Sequence, residues 1–116
     1  MLGKKENLLL VLLTAIVIAL VMATIGSTPL AAQDGPTLYK TKCAMCHGAD
    51  GKGETPMGKN LHIRDLGSAD VQKQTDAEFT TIITKGKGKM TPFGGKLTPE
   101  QIGQLVAQVR DFGKKK

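Results

Sequence analysis

The chain has 116 residues, a net charge of +6 and few large side chains: three phenylalanines, one tyrosine and no tryptophan. This length accommodates one domain and excludes a multidomain arrangement within the chain. A domain this small and this poor in aromatic groups needs a disulfide, a metal or a large apolar cofactor to complete its core. The positive charge favours acidic partners.

Residues 1–33 differ in kind from the rest of the chain. Lys4 and Lys5 precede an apolar run over residues 8–25 that carries no charged side chain. A basic start followed by an apolar run is typical of an export signal peptide. The run also reaches the lower limit for a membrane-spanning helix, so an uncleaved anchor is the alternative interpretation. Both interpretations place residues 34–116, the predicted folded domain, in the periplasm or on the outer face of the cytoplasmic membrane.

A helix is predicted over residues 36–47, because a proline stands in its first turn and apolar positions recur with helical spacing. This segment holds both cysteines of the chain and one of its two histidines, as Cys43, Cys46 and His47. On a helix, spacings of three and four place the two thiols and the imidazole on one face.

Three chemistries use a Cys-x-x-Cys unit: a redox dithiol, half of a zinc site, and covalent attachment of haem. A thioredoxin-like dithiol lies where a strand meets a helix, and no strand is predicted before Cys43. A structural zinc site needs four ligands, and the chain adds only His62 to the three residues of the motif. Haem attachment uses every member, since the two thiols add to the vinyl groups and His47 reaches the iron. We therefore expect one covalently attached haem c per chain.

Two further helices are predicted from their end signals and periodicity. Over residues 75–85, Thr75 and Glu78 form a capping box and a glycine follows the last turn. A short helix is expected just before it, over residues 68–73.

The strongest periodicity lies over residues 98–112, where apolar side chains recur at spacings of three and four. Thr98 and Gln101 form a capping box at its start. Gly113 is expected to end the helix.

Two stretches rich in Gly, Pro and Lys are predicted as loops: residues 48–66 and 86–97. Three side chains in these loops could serve as the second axial ligand of a haem iron: Met57, His62 and Met90. Met57 follows His47 closely in the chain and is interpreted as a hydrophobic wall of the pocket, and His62 as a loop histidine. Met90 follows a Gly-rich segment and is followed by a proline that restricts the backbone. A flexible segment that ends at a rigid residue could place the Met90 thioether against the iron and keep it there. We expect His47 and Met90 to be the metal ligands.

Together, the Cys-x-x-Cys-His motif near the start, Met90 in a Gly-rich loop and a terminal amphipathic helix resemble class I c-type cytochromes. The resemblance covers residues 34–112. It implies an all-α fold, the small cytochrome c fold, with three to four helices around one covalently bound haem. It also implies that the first and last helices cross over the ring, with a small residue and an aromatic of one packed on the other. The matching positions are Gly35 and Tyr39 on the first helix, with Leu105 and Val109 on the last.

The sequence departs from the family at two places. Gln108 stands where members often carry an aromatic side chain in the last helix. The stretch over residues 58–61 carries Lys59 where many members have a proline whose carbonyl accepts a hydrogen bond from the haem-ligating histidine. Because the acceptor is a backbone group, the carbonyl of Lys59 could still accept that hydrogen bond from His47, although no proline ring fixes its position.

Filled axial positions on the iron imply a carrier of single electrons between redox partners and not an enzyme. The alternative is a haem-based sensor or a catalytic haem protein with a labile sixth ligand. Lys85, Lys87 and Lys89 cluster before Met90, so an acidic docking patch on the partner is expected. No helix carries its positive charge as a stripe, which argues against nucleic acid as a partner. We expect a monomer.

Arg64 is the candidate for contact with a haem propionate. It is a lone arginine in a loop that must border the ring. A surface salt bridge with Asp65 or Asp70 is the alternative role for its side chain.

Overall fold

The structure is a computed structural model that describes residues 3–24 and 33–115. The chain forms two compact units, Met1–Ala31 and Ala32–Lys116. In the first unit, helix α1 runs over Lys4–Thr24 and exposes its apolar side chains. Its mean hydropathy of 2.1 over Lys4–Met22 would allow it to cross a membrane, a property that signal sequences share. Ile25, the last residue of the predicted apolar run, lies outside the described residues.

The second unit is built from helices joined by loops. Its helices are α2 (Gly35–Lys42), α3 (Ala44–His47), α4 (Pro56–Asn60), α5 (Ala69–Gln72), α6 (Asp76–Lys85) and α7 (Pro99–Lys114). Within residues 33–115, the extended pairing consists of one isolated antiparallel bridge between Lys87 and Met90. The expected all-α class is therefore confirmed, with three helices of eight residues or more and three shorter ones.

The predicted helix over residues 36–47 is divided at Cys43, so the expectation of one continuous helix was wrong. Asp34 caps α2 by accepting a hydrogen bond from the Thr37 N–H at 2.8 Å. Cys43 then ends α2 and begins α3 with φ −118°. Backbone hydrogen bonding continues across the division, from the N–H of Cys43 to Tyr39 and from that of His47 to Cys43. The two cysteines consequently keep their helical spacing.

Helix α4 lies in a stretch that was predicted to be a loop. Its start has the same signals as the other helices: Thr55 accepts a hydrogen bond from the Gly58 N–H at 2.9 Å, and Pro56 occupies the first turn. The hydroxyl of Thr55 also donates to the carbonyl of Cys46 at 2.9 Å. Helix α4 has five residues and no apolar stripe, so periodicity could not reveal it.

The predicted starts of α6 and α7 are confirmed, since both capping boxes are present. The predicted end of α7 is wrong, because the helix continues through Gly113 to Lys114. A Cβ placed at Gly113 would lie 2.6 Å from the side-chain carbon Cδ of Gln72. Gly113 therefore lies inside the helix, close against the Gln72 side chain, and does not end it.

The core lies where α2, α5 and α6 meet α7. Its members are Leu38, Tyr39, Val71, Phe79, Ile83, Leu97, Ile102, Leu105, Val106, Val109 and Phe112. A Cβ placed at Gly35 would lie 2.7 Å from the carbonyl oxygen of Gln104, so only a glycine lets α2 approach α7 this closely. The Tyr39 ring meets the Phe112 ring edge-on, with 5.0 Å between centroids. Phe112, one turn beyond Gln108, thus supplies the aromatic contact of the last helix.

Candidate functional site

A cavity of about 380 Å³ opens beside α3 and reaches α6, α7 and the loop that carries Met90. Most of its lining is apolar and comes from distant parts of the chain. The apolar side chains are Leu61, Ile63, Leu66, Val71, Phe79, Ile82, Ile83, Phe93, Leu105 and Val109. Such a lining suits a large apolar ligand that is oriented by a few polar groups.

Cys43, Cys46 and His47 share one wall of this cavity. The two thiols are free and half-buried. Burial, with a smaller contribution from the neighbouring Cys46, raises the pKa of the Cys43 thiol to about 11. The Cys43 thiol is therefore protonated at neutral pH, unlike the activated thiolate of a redox or nucleophilic cysteine.

The imidazole of His47 is buried deeply enough that desolvation lowers its pKa. Its Nδ1 is buried and has no hydrogen-bond partner among the described residues. The expected hydrogen bond to Lys59 is not formed. The Lys59 carbonyl instead accepts from the backbone N–H groups of Leu61 and His62 as α4 ends. A buried imidazole whose pKa is lowered stays neutral at neutral pH, and a neutral imidazole at the wall of a cavity fits the role of a metal ligand.

The backbone on both sides of His47 is tightly fixed. The His47 carbonyl accepts a hydrogen bond from the Gly53 N–H at 2.7 Å. The buried Tyr39 hydroxyl donates to the Gly48 carbonyl at 2.8 Å, and burial raises the pKa of this phenol. These hydrogen bonds fix the backbone of His47 and Gly48 and thereby the position of the imidazole at the cavity wall.

Met90 also lines the cavity, on a loop that returns to α6 at both ends. Its N–H donates to the Lys87 carbonyl at 3.0 Å, and the N–H of Phe93 donates to the Ile83 carbonyl at 2.9 Å. Gly86 has φ +74°, and a Cβ there would lie 2.5 Å from the Met90 carbonyl oxygen. The loop over residues 86–94, called the Met90 loop below, therefore needs a glycine at its first position.

Of the other predicted residues, Arg64 and His62 line the cavity and Met57 does not. Arg64 is exposed at the edge of the cavity, and His62 lines it with a left-handed φ of +53°. Asp70, one suggested partner of Arg64, pairs instead with Lys73 at 3.2 Å. Met57 lies outside the lining with 43% of its surface exposed, so its interpretation as a pocket wall was wrong.

Lys85, Lys87 and Lys89 are all exposed, and the last two reach the cavity edge. The structure thus places positive charge at the edge of the cavity, near the point where α6 ends and the Met90 loop begins. Gln74 adds a polar group to the same wall, which the sequence did not single out.

The side chains around the cavity fit covalent haem. Two free thiols, a buried imidazole and a thioether meet at one mainly apolar cavity. Zinc would need four ligands, and no cluster of three or more Cys, His, Asp or Glu residues that could hold a metal occurs among the described residues.

Comparison with known proteins gives an independent line of evidence. Residues 30–108 match the family described as "Cytochrome C oxidase, cbb3-type, subunit III". The chain is 36% identical to the cytochrome c6 of Microcystis aeruginosa over 76 residues, which cover 66% of this chain and 90% of that relative. It is 34% identical over 89 residues to the cbb3-type cytochrome c oxidase subunit FixP of Azorhizobium caulinodans, covering 76% of this chain but only 29% of that longer protein.

Solved structures give the same result. The structure titled "KustC0563 c-type cytochrome" superimposes with a TM-score of 0.65 and 40% sequence identity. The match covers 69% of this chain and 98% of that chain.

Proposed function

This chain belongs to the cytochrome c family as a small class I c-type cytochrome, and on that premise we propose that it is an exported carrier of single electrons. The cofactor of the family is covalently attached haem c, which supplies a one-electron iron couple when bound. Cys43 and Cys46 would hold the haem through their thiols, and His47 and Met90 would ligate its iron. The observation that carries the proposal is that these four side chains line a single, mainly apolar cavity.

The ligand pair suits electron transfer without substrate binding. An imidazole nitrogen and a soft thioether together favour ferrous iron and raise its potential. With His47 and Met90 as ligands, no coordination position remains for oxygen or peroxide. We therefore propose that the chain has no enzymatic activity of its own.

The exposed lysines beside the cavity support a transient protein partner. Lys85, Lys87 and Lys89 give the cavity edge a positive charge that an acidic patch on a redox protein would complement. Complementary charge of this kind raises the association rate more than the affinity. The protein is proposed to act as a monomer outside the cytoplasm, after cleavage of residues 1–33 or anchored through residues 8–25. Arg64, at the cavity edge, is proposed to contact a propionate.

A Met90→His variant tests the ligand assignment. The colour should be kept, because the attachment residues and His47 are untouched. The reduction potential should fall, since imidazole supports ferric iron better than a thioether does. Axial ligands set haem potentials over a range of about 0.8 V, and the fall should be a substantial part of that range. Visible spectroscopy and potentiometry of the purified protein measure both effects. The weak red absorption band of Met-ligated ferric haem should disappear.

Met57→Leu is the matched control, since it removes an exposed thioether and should change neither quantity. An unchanged potential and spectrum in Met90→His would refute this ligand assignment and direct the same test to His62. Rapid binding of carbon monoxide by the reduced wild type would instead support a sensor or catalytic haem protein with a labile sixth ligand. The double variant Cys43→Ala, Cys46→Ala should release all haem on acid–acetone extraction, and retained haem would contradict the attachment sites.

A further inference from the structure

A polar cluster outside the cavity joins α7 to the segment between α5 and α6. Arg110 Nη1 donates to the main-chain carbonyl of Gln72 at 2.8 Å and to its side-chain oxygen at 3.3 Å. Nη2 donates to the carbonyl of Gln74, and Nε donates to Asp76 Oδ1 at 2.8 Å. The planar guanidinium makes this possible, because it presents five donors in fixed directions. We call the two central residues the Gln72–Arg110 clamp.

The Gln72 side chain extends the clamp to the loop before α5. Its Nε2 donates to the Leu66 carbonyl at 2.7 Å and to the Val109 carbonyl at 2.9 Å. One amide and one guanidinium thereby bind carbonyl groups from three separate segments. Gly113 provides the space for this amide, as its close approach to Gln72 shows.

The clamp lies outside the cavity, but its partners form the cavity wall. Leu66, Gln74 and Val109 each bind the clamp through a backbone carbonyl, and all three line the cavity. The Arg110 guanidinium also lies over the ring of Phe79, a fourth lining residue, at 4.6 Å from its centroid. Any effect of the clamp on a bound haem must act through these neighbours.

Helix α6 connects the clamp to the Met90 loop. Asp76 and Phe79, near its start, contact Arg110. The carbonyls of Ile83 and Thr84, near its end, accept hydrogen bonds from the two residues that close the Met90 loop, at 2.9 and 3.0 Å. A helix of ten residues is a rigid element, so displacement of its start displaces its end.

We propose that Gln72 and Arg110 are positioning residues that hold α6 against α7 and thereby fix the Met90 thioether for iron ligation. The clamp makes Met90 a better competitor against external ligands. This inference rests on the proposed function, because it takes Met90 to be the axial ligand.

The test is titration of the ferric haem protein with imidazole, which competes with Met90 for the iron. Arg110→Met removes the donors but keeps much of the apolar volume of the side chain. The loss of several hydrogen bonds from the α5–α6 segment should lower the imidazole Kd about tenfold. The visible spectrum follows the exchange, because the weak red band of Met ligation disappears as imidazole binds.

Two controls separate positioning from other effects. Lys114→Met removes the same charge from the same helix and only an exposed ion pair, to Asp111 at 2.9 Å. Thr98→Ala weakens the cap of α7 and reproduces a general loss of stability. Neither should change the imidazole Kd. An equal Kd in Arg110→Met and the wild type would overturn the proposal, and so would an equal decrease in Thr98→Ala.

Met90→Ala separates this proposal from the proposed function. If Met90→Ala does not tighten imidazole binding, Met90 is not the ligand and both proposals fail. If it does and Arg110→Met does not, only the clamp proposal fails. Should Arg110→Met not fold, Gln72→Met decides by the same comparison. If neither folds, the clamp determines the fold as a whole, and a specific effect on Met90 is refuted.

Discussion

Gly58 shows how one missing side chain lets α4 pack against the Cys-x-x-Cys-His motif. A Cβ at this position would lie 2.5 Å from the Cys46 carbonyl oxygen, and a backbone atom cannot rotate away as a flexible side chain does. We expect Gly58→Ala to displace α4 from Cys46 and to reduce the free energy of unfolding by about 1–3 kcal/mol.

Guanidinium denaturation of the haem protein measures this loss. Gly103→Ala is the matched control, because Gly103 lies on α7 and a Cβ there would meet no atom within 4 Å beyond its own helical neighbours. That variant should gain up to about 1 kcal/mol from helix propensity. If the two variants had equal stability, crowding at Gly58 would be disproved.

Single residues also mark the limit of prediction from sequence. Cys43, Cys46 and His47 were found because their chemistry lies within five neighbouring positions, and Met90 was chosen from its Gly-rich context. Their ligand roles stay predictions. Arg110 gave no signal, since it is one of 16 basic residues and its partners become neighbours only after folding. The hydrogen bond considered between His47 and the Lys59 carbonyl is absent for a related reason. That carbonyl already accepts backbone hydrogen bonds at the end of α4.

At the scale of elements, the capping box of α6 makes the stability of the folded state depend on pH. The backbone N–H of Thr75 donates to the Glu78 carboxylate at 2.6 Å and its hydroxyl does so at 3.0 Å. These bonds lower the pKa of Glu78 from its ordinary 4.5. The charged carboxylate of Glu78 therefore stabilises the folded state at pH values above 4.5. This stabilisation is lost as the pH falls through the lowered pKa of the folded state.

A Glu78→Gln variant should consequently be less stable than the wild type at neutral pH, and the difference should shrink in acid. Unfolding midpoints in guanidinium at about pH 7 and about pH 3 measure this difference. Comparing the two proteins at each pH cancels the titration of the other groups. A difference that stays constant with pH would show that the Glu78 charge does not contribute.

The elements that were predicted correctly are those whose signals are local. Both capping boxes lie within four neighbouring residues, and they located the starts of α6 and α7. Gly113 was misread because its close approach to Gln72 depends on tertiary packing. Helix α4 was missed although Thr55 and Pro56 carry the usual start signals, because it is too short to show a periodic apolar face.

For the whole molecule, the cavity is the dominant feature of a small domain. Its wall draws on every helix of the second unit except α4, and six of the eleven buried core residues line it. We expect the domain to be largely unfolded without haem. Protein produced without haem-attachment machinery should show no cooperative thermal transition in far-UV circular dichroism, whereas the haem protein should show one. A cooperative transition in the haem-free protein would contradict this expectation.

The contact between Tyr39 and Phe112 joins the two ends of the second unit. The two rings belong to the first and last helices of the second unit, as do Gly35 and Gln104. Contacts between distant parts of a chain form late, because the segment between them must first be ordered. The thiols of the attachment motif are synthesised long before the helix that encloses their cavity. We expect haem to be attached at Cys43 and Cys46 before this contact forms, so that docking of α7 closes the cavity around it.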